Sequence, residues 1–544
     1  MVVMKKNIFV AMSSLLVLGA ALAGCGSADQ AAPTDSSAES PASGPKELRL
    51  NLHSEPPTAD PGLAEDSTSG TIIRATFEGL TRTGEDGQVH EAAAESYEVS
   101  EDGTVYTFKL RDAKWSNGDP VTAGDFEYAW KRVLDPKTAA NYAYQLYYIK
   151  NGEAYNKGQA SRDEVGVKAL DDKTLQVTLE NPTPFFPELT AFYTYYPVNQ
   201  KVVEANEKWA VDAATHVGNG PFKMTDWQHK NKIVLEKNDQ YWDKDNVNLT
   251  KVEFTMIEDE NTELSMFENG ELDWAGAPMS QLPTDAIPAL ADSGRMKTKP
   301  IAGTYWYKFN TEQAPFNNVK IRKAFAYAID RQSLIDNILQ AGQIPATGAI
   351  PPSMVLNEKG YFKDNDVETA KKLLEEGMKE EGLTSLPEIT LSYNTSEAHK
   401  KIAEAIQDQW KQNLGVDVTL ENKEWQVFIE DLHQGNYQIG RMGWLGDFND
   451  PINFLELYKD KKGGNNDTNW ENPQFKELLN QSALEKDPQK RKEILAQAEQ
   501  ILMDEMPIMP IYFYTNSWVQ SEKVTGVVVD GLGNIDLKNA DITE

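Results

Sequence analysis

The chain contains one cysteine, Cys25, and this limits the ways it can be held together. No disulfide can form within it, and no Cys-rich zinc or iron–sulfur site can be built. The fold must rest on its own core. With 40% hydrophobic residues, 12 Trp and 21 Tyr in 544 residues, a large core is available and general disorder is excluded. At roughly 100–200 residues per domain, this length predicts two to four domains.

The position of the cysteine is equally informative. Lys5 and Lys6 precede an apolar run over 8–22. The run is shorter than the about 20 apolar residues a membrane-spanning helix needs and suits a secretory signal core. It ends in Leu22-Ala23-Gly24-Cys25, which resembles the bacterial lipobox, where the Cys is lipidated and becomes the first residue. Residues 26–45, GSADQAAPTDSSAESPASGP, hold no large apolar side chain. They cannot offset their chain entropy by burial. The expectation is a lipoprotein signal peptide over 1–24, lipidation at Cys25, and a lipid-anchored flexible tether over 25–45. No other stretch is long and apolar enough to span a bilayer.

From Lys46 onward the pattern becomes globular. Alternation predicts strands over 46–52, 106–110, 174–179, 232–236, 251–256, 304–310, 389–393, 416–420, 437–442 and 511–514. Helical spacing covers 123–133, 319–339, 367–377, 398–413, 425–433, 473–485 and 488–504. Strands and helices alternate through the C-terminal half, so the class is α/β.

Charge and motifs exclude several functions. The 53 basic and 84 acidic residues give a net charge of −31, which repels nucleic acid. There is no G-x-S-x-G elbow, no phosphate-binding loop and no H-E-x-x-H pair among six His. The acidic turn from Asp243 to Val247 lacks the ligand spacing of a calcium loop. No cofactor and no metal are expected, and the sequence contains no nucleophile constellation, so no enzyme activity is expected.

Residues 439–451, IGRMGWLGDFNDP, carry the strongest signal. A strand runs into a loop where Gly443 and Gly446 leave the backbone open to close approach. Arg441 and Asp447 place opposite charges on either side of Trp444. They could hold a zwitterion, with its carboxylate on the guanidinium and its ammonium on the Asp. The spacing alone suits an internal ion pair beside a core Trp at least as well.

Other blocks accompany this loop. They are Ser54-Glu55-Pro56 with Asp60-Pro61, YTFKLR (106–111), KWSNGDPVTA (114–123), NDQYWD (238–243), ELDW (271–274), APFNNVKIR (314–322) and Tyr393-Asn394-Thr395. In this order, behind a lipobox, they resemble the extracytoplasmic oligopeptide-binding lipoproteins of peptide ABC importers, solute-binding protein family 5, especially the Gram-positive members. The resemblance runs from Leu48 to the end. It implies a periplasmic-binding-protein-like fold (type II, cluster C) with two lobes on a hinge and an additional inserted domain. Domain I is expected over 46–68, 198–301 and 512–544, domain II over 69–197 and domain III over 302–511. The strands crossing between lobes are expected near 304–309 and 511–514.

The resemblance also implies roles. Asp447 would hold a peptide α-ammonium and Arg441 would face a peptide carboxylate. Gly443 and Leu445 would offer backbone groups to an extended peptide bound as an added strand. His399 would meet the C-terminus of a longer peptide, Glu55 would line the cleft, and Trp306, Trp425 and Trp444 would wall it. The implied partners are oligopeptides, the transmembrane subunits of an ABC permease, and the membrane through Cys25. The implied state is a monomer at the extracytoplasmic face. Alternatives are a binder of a dedicated signalling or cell-wall peptide in the same fold, or a non-transport surface scaffold lipoprotein.

Overall fold

The computed structural model describes residues 45–84, 88–485 and 487–543. The expected signal segment 1–24, Cys25 and the tether 25–45 lie outside the described residues, except Pro45. No helix among the described residues is long and apolar enough to cross a membrane.

Three sheets organise the body. In the first, Glu47–Asn51 runs parallel to Lys251–Thr255, which pairs antiparallel with Lys232–Lys237 and then with Phe222–Gln228. The alternation of ELRLN puts Leu48 and Leu50 opposite Val252 and Phe254, in a core with Ile233 and Leu235. In the second, Ala94–Val99, Val105–Leu110, Thr174–Thr178 and Val167–Asp171 form an antiparallel sheet. The helix Ala123–Val133 covers it. That helix starts where the sequence predicts because Asp125 accepts hydrogen bonds from the amide and hydroxyl of Thr122, a capping box. Its apolar residues Phe126, Trp130 and Val133 then share the buried face.

The third sheet contains the site. Its order is Trp274–Gly276, Ile508–Gln520, Lys297–Phe309, Ile439–Leu445, Thr390–Asn394 and Thr419–Lys423, with Ile344–Pro345 on Ile508–Gln520. The strands Lys297–Phe309 and Ile508–Gln520 are each 13 residues long. They contain the two segments expected to cross between lobes. They pair along nearly their whole length, with register breaks between Pro300 and Thr304 and between Tyr305 and Trp306.

Two elements depart from the sequence pattern. The helix expected over 319–339 stops at Tyr327, and a new turn begins at Arg331. Asp330 caps that turn by accepting from the amide of Ser333 at 2.9 Å, a local bond that competes with continued helix. Arg331, fully buried, donates to the carbonyls of Pro510 (2.7 Å) and Ala326 (3.0 Å) and pairs with Asp364 (2.8 Å). The strand expected over 416–420 lies at Thr419–Lys423 instead. Gly415, with φ of 69°, ends the preceding helix in the left-handed region, and Val416 and Val418 are drawn into the core.

Candidate functional site

The site is built on one strand, Ile439–Leu445. It lies antiparallel to Lys297–Phe309, with Arg441 opposite Tyr307, Gly443 opposite Tyr305 and Leu445 opposite Gly303. On its other side, Thr390–Asn394 pairs with it only at Ile439 and Gly440. Beyond Gly440 that edge has no partner strand among the described residues. The amides and carbonyls from Arg441 to Leu445 therefore border a cleft and can accept an added strand.

The cleft is a cavity of about 270 Å³. Arg441 is buried in its wall. Its guanidinium donates to the Tyr514 hydroxyl at 3.0 Å and to Asn394 Oδ1 at 3.3 Å, and lies 4.7 Å from the centre of the Tyr305 ring. Its Nε is buried without a partner. Glycine is required at 443 because a Cβ there would come within 2.5 Å of the same Tyr514 hydroxyl that holds Arg441.

Asp447 follows two residues after the strand, once Gly446 has donated to the Ala302 carbonyl at 2.7 Å. Its carboxylate accepts from Gln145 Nε2 (2.6 Å), Asn453 Nδ2 (3.1 Å) and the Tyr142 hydroxyl (3.3 Å). All three donors are neutral. Burial pushes the carboxyl up to about 7, against these bonds and the charge of Arg74. Asn453 is the organising residue: its Oδ1 also accepts from the Asp447 amide (2.8 Å) and from Trp444 Nε1 (3.0 Å). Arg441 and Asp447 do not pair with each other, and neither has an ion pair among the described residues. The cleft thus presents a cation and a carboxyl, neither in an ion pair, and the carboxyl sheds its proton near neutral pH.

Among the other expected residues, Trp444, Trp425, Gly443, Leu445 and His399 line the cavity. Trp444 is buried, with its ring 6.0 Å from that of Tyr142. The indole N–H of Trp425 is buried without a partner. His399 is held in the first turn of the helix Glu397–Leu414, where its amide donates to the Ser396 hydroxyl. Burial, then the nearby Arg441 and His53, push its protonation well below the ordinary imidazole range. It is neutral at pH 7.

Two expectations need correction. Trp306 does not wall the cleft: it is fully buried, packed edge-on against Tyr458 with ring centres 6.3 Å apart. Glu55 does not line the cleft either. Its carboxylate accepts from Trp227 Nε1 (3.0 Å) and the Lys230 amide (2.7 Å) and contacts His229 Nδ1 (2.5 Å), pinning the turn before the strand Lys232–Lys237. Its neighbours His53 and Ser54 line the cleft instead. Conversely, Tyr142, Gln145, Asn453 and Tyr514 hold the charged pair and were not singled out from the sequence.

The surroundings are rich in carboxyls bonded only to neutral donors. Glu260 accepts from Ser396, Glu456 from Tyr148, and Glu499 from Tyr361 and two amides. Burial pushes Glu260, Glu263 and Glu499 up to about 7 and Glu456 up to about 8. The unfolded chain releases those protons near pH 4, so the folded state holds protons there that the unfolded state does not. The stability these groups contribute is full below about pH 4 and is lost as pH rises through about 7 to 8. The ligand-free thermal midpoint is expected to rise by a few degrees from pH 8 to pH 5. A flat or falling midpoint over that range in scanning calorimetry would contradict these protonation states.

Comparison with known proteins bears directly on this geometry. The chain is 60% identical over 501 residues to the oligopeptide-binding protein OppA of Bacillus subtilis, covering 91% of this chain and 92% of that one. The Haemophilus influenzae OppA complex with the peptide RPPGFSPFR superposes with a TM-score of 0.86 at 33% identity, covering 92% of this chain and 99% of that one. The unliganded open form of the murein tripeptide binding protein MppA gives only 0.62, also at 33% identity, covering 92% and 98%. The model of the bacterial extracellular solute-binding proteins, family 5, matches residues 88–466, and the chain belongs to that family.

Proposed function

We propose that this chain is the substrate-binding lipoprotein of an oligopeptide ABC importer. It captures short peptides between its lobes and delivers them to a membrane permease, anchored through a lipid on Cys25 at the extracytoplasmic face. The observation that carries this reading is Asp447 and Arg441, neither in an ion pair among the described residues, lining one cavity with an open strand edge between them. A peptide supplies what that arrangement lacks: an ammonium for Asp447, a carboxylate for Arg441, and alternating N–H and C=O groups for the edge. Those groups are common to all peptides, so affinity can be high without a particular side chain, provided the pockets are wet.

The remaining roles follow. Gly443 and Leu445 offer backbone groups, Trp425 and Trp444 wall the ligand, and neutral His399 contacts longer peptides. With domains divided as 46–68, 198–301 and 512–544; 69–197; and 302–511, Asp447 belongs to domain III and its partners Tyr142 and Gln145 to domain II. A peptide held at Asp447 adds its own contacts to these direct bonds and shifts the population toward the closed state.

Mass spectrometry of the purified mature protein, sprayed natively and then denatured, tests the reading. A released mixture of short peptides is expected. A single released species would identify a dedicated peptide binder. An empty protein that tri- to pentapeptides also fail to stabilise would overturn peptide binding altogether.

A further inference from the structure

The cleft holds a second cation besides Arg441. Arg74, in the helix Ser67–Thr76, lines the same cavity. Its guanidinium lies 5.3 Å from the centre of the Tyr193 ring. Tyr193 packs against Tyr142 with ring centres 6.1 Å apart, and the Tyr142 hydroxyl reaches Asp447. One aromatic pair thus connects Arg74 to Asp447, and the charge of Arg74 is felt there, holding that carboxyl lower than burial alone would.

The seat of Arg74 is built into the helix. A Cβ at Gly70, one turn earlier, would come within 2.7 Å of Arg74 Nη1 and 3.0 Å of the Tyr193 ring. Glycine within a helix costs about 1 kcal/mol relative to alanine. Here it opens the groove in which the guanidinium lies against the tyrosine.

A guanidinium offers five N–H donors. Among the described residues, Arg74 has no ion pair and no side-chain hydrogen bond, only its ring contact. The nearby acids each hold one oxygen in bonds elsewhere and keep the other without a hydrogen-bond partner, and neither pairs with Arg74. Glu65 contacts His433 at 2.9 Å and accepts from Asn141 at 3.2 Å, while Asp66 accepts from the Ser69 amide at 3.0 Å as helix N-cap. A peptide ammonium seated at Asp447 would neutralise a carboxylate that interacts with Arg74. Arg74 would then be a partly desolvated cation without a counter-charge, which is costly unless the ligand supplies one.

We propose that Arg74 is a specificity-determining residue that favours peptides with a carboxylate side chain at the first or second position over those with a cation there. This rests on the reading that the ligand's ammonium sits at Asp447.

Isothermal titration at pH 7 with Glu-Ala-Ala, Ala-Glu-Ala, Lys-Ala-Ala, Ala-Lys-Ala and tri-alanine tests it. In the wild type, one of the two glutamyl peptides is expected to bind about tenfold tighter than its lysyl counterpart. In Arg74→Met, which keeps an aliphatic stem on Tyr193, that ratio should fall to near one. Arg74→Lys should retain most of it and so distinguish charge from folding damage. An equal preference in wild type and Arg74→Met, or none in the wild type, would overturn the role of Arg74 while leaving peptide binding intact. Failure of the wild type to bind any of the five, tri-alanine included, would overturn the peptide reading and this proposal with it.

Discussion

Asp447→Asn is expected to weaken binding of tri- to pentapeptides by about 100-fold or more. The substitution keeps the side-chain volume and leaves an amide for Gln145, Asn453 and Tyr142 to bond, so the loop should stay in place. What it removes is the only charge these three donors surround. Breaking one side of a buried charge pair costs about 2–5 kcal/mol, and each 1.4 kcal/mol is tenfold in affinity. The same residue predicts a pH signature. Burial holds the Asp447 carboxyl up at about 7, so a ligand ammonium arriving near neutral pH displaces a proton. Wild-type affinity should rise as pH increases from 6 to 7.5. It should fall again as the peptide amine itself deprotonates near pH 8. Titrations in buffers of different ionisation enthalpy should show proton release on binding. In Asp447→Asn the acid limb of the profile and the proton release should both vanish. An Asn variant that binds within threefold of the wild type would remove Asp447 from the role of anchor.

How far this site was readable from sequence depends on what kind of information each residue carries. The loop at Gly443–Asp447 stood out by its glycines, opposite charges and aromatic, but its spacing suited an internal ion pair as well, and only the family resemblance pointed to a ligand. Tyr142 and Gln145 reach Asp447 from some 300 positions away, and periodicity has no access to such a pairing. Asn453 is only six residues on, yet it looked ordinary. Its importance comes from the chain folding back so that one amide serves both Trp444 and Asp447. The tryptophans show the limit most clearly. Trp306 lies opposite Met442, and Trp444 lies opposite Thr304, so all four share one sheet face. Alternation gives the face correctly but not the depth. Two residues along the strand separate a cleft wall from a sealed core. Glu55 failed in a similar way, as its neighbours His53 and Ser54 meet the cleft while its own carboxylate closes a turn. Helices with strong caps, such as Ala123–Val133, were read to the residue. The expectation over 319–339 broke where a capping Asp outcompeted helical continuation.

The largest stability effect is expected away from Arg441 and Asp447, at Asp467. Its carboxylate meets two cations, Lys308 Nζ and His433 Nδ1 (2.8 Å), and His433 Nε2 continues to Glu65 at 2.9 Å. Lys308 and Asp467 side chains are each only 3% exposed. Burial alone would raise the Asp467 carboxyl, but Lys308 and His433 overcome it and hold it down to about 2. His433 is pushed up to about 10, because bonds to Asp467 and Glu65 outweigh its desolvation. At neutral pH His433 is therefore protonated and Asp467 ionised, in a row that runs from Glu65 through His433 and Asp467 to Lys308. Removing one member of a buried ion pair costs about 3–5 kcal/mol, because the partner is left uncompensated. Asp467→Asn is the informative variant, since φ at 467 is 55°, a left-handed conformation that Asn adopts more readily than Ala. It should lower the unfolding free energy by about that amount, with denaturant titration as the measure. Lys308→Met should cost less, because Asp467 keeps His433. The double variant Lys308→Met with Asp467→Asn should cost less than the two singles summed, the mark of a coupled pair. In the wild type, the contribution of Asp467 is present above about pH 4 and lost as pH falls toward 2. That acid loss should be reduced in Asp467→Asn. A cost below 1 kcal/mol for Asp467→Asn would mean that water reaches Lys308, and that this row of charges is a surface network rather than part of the core.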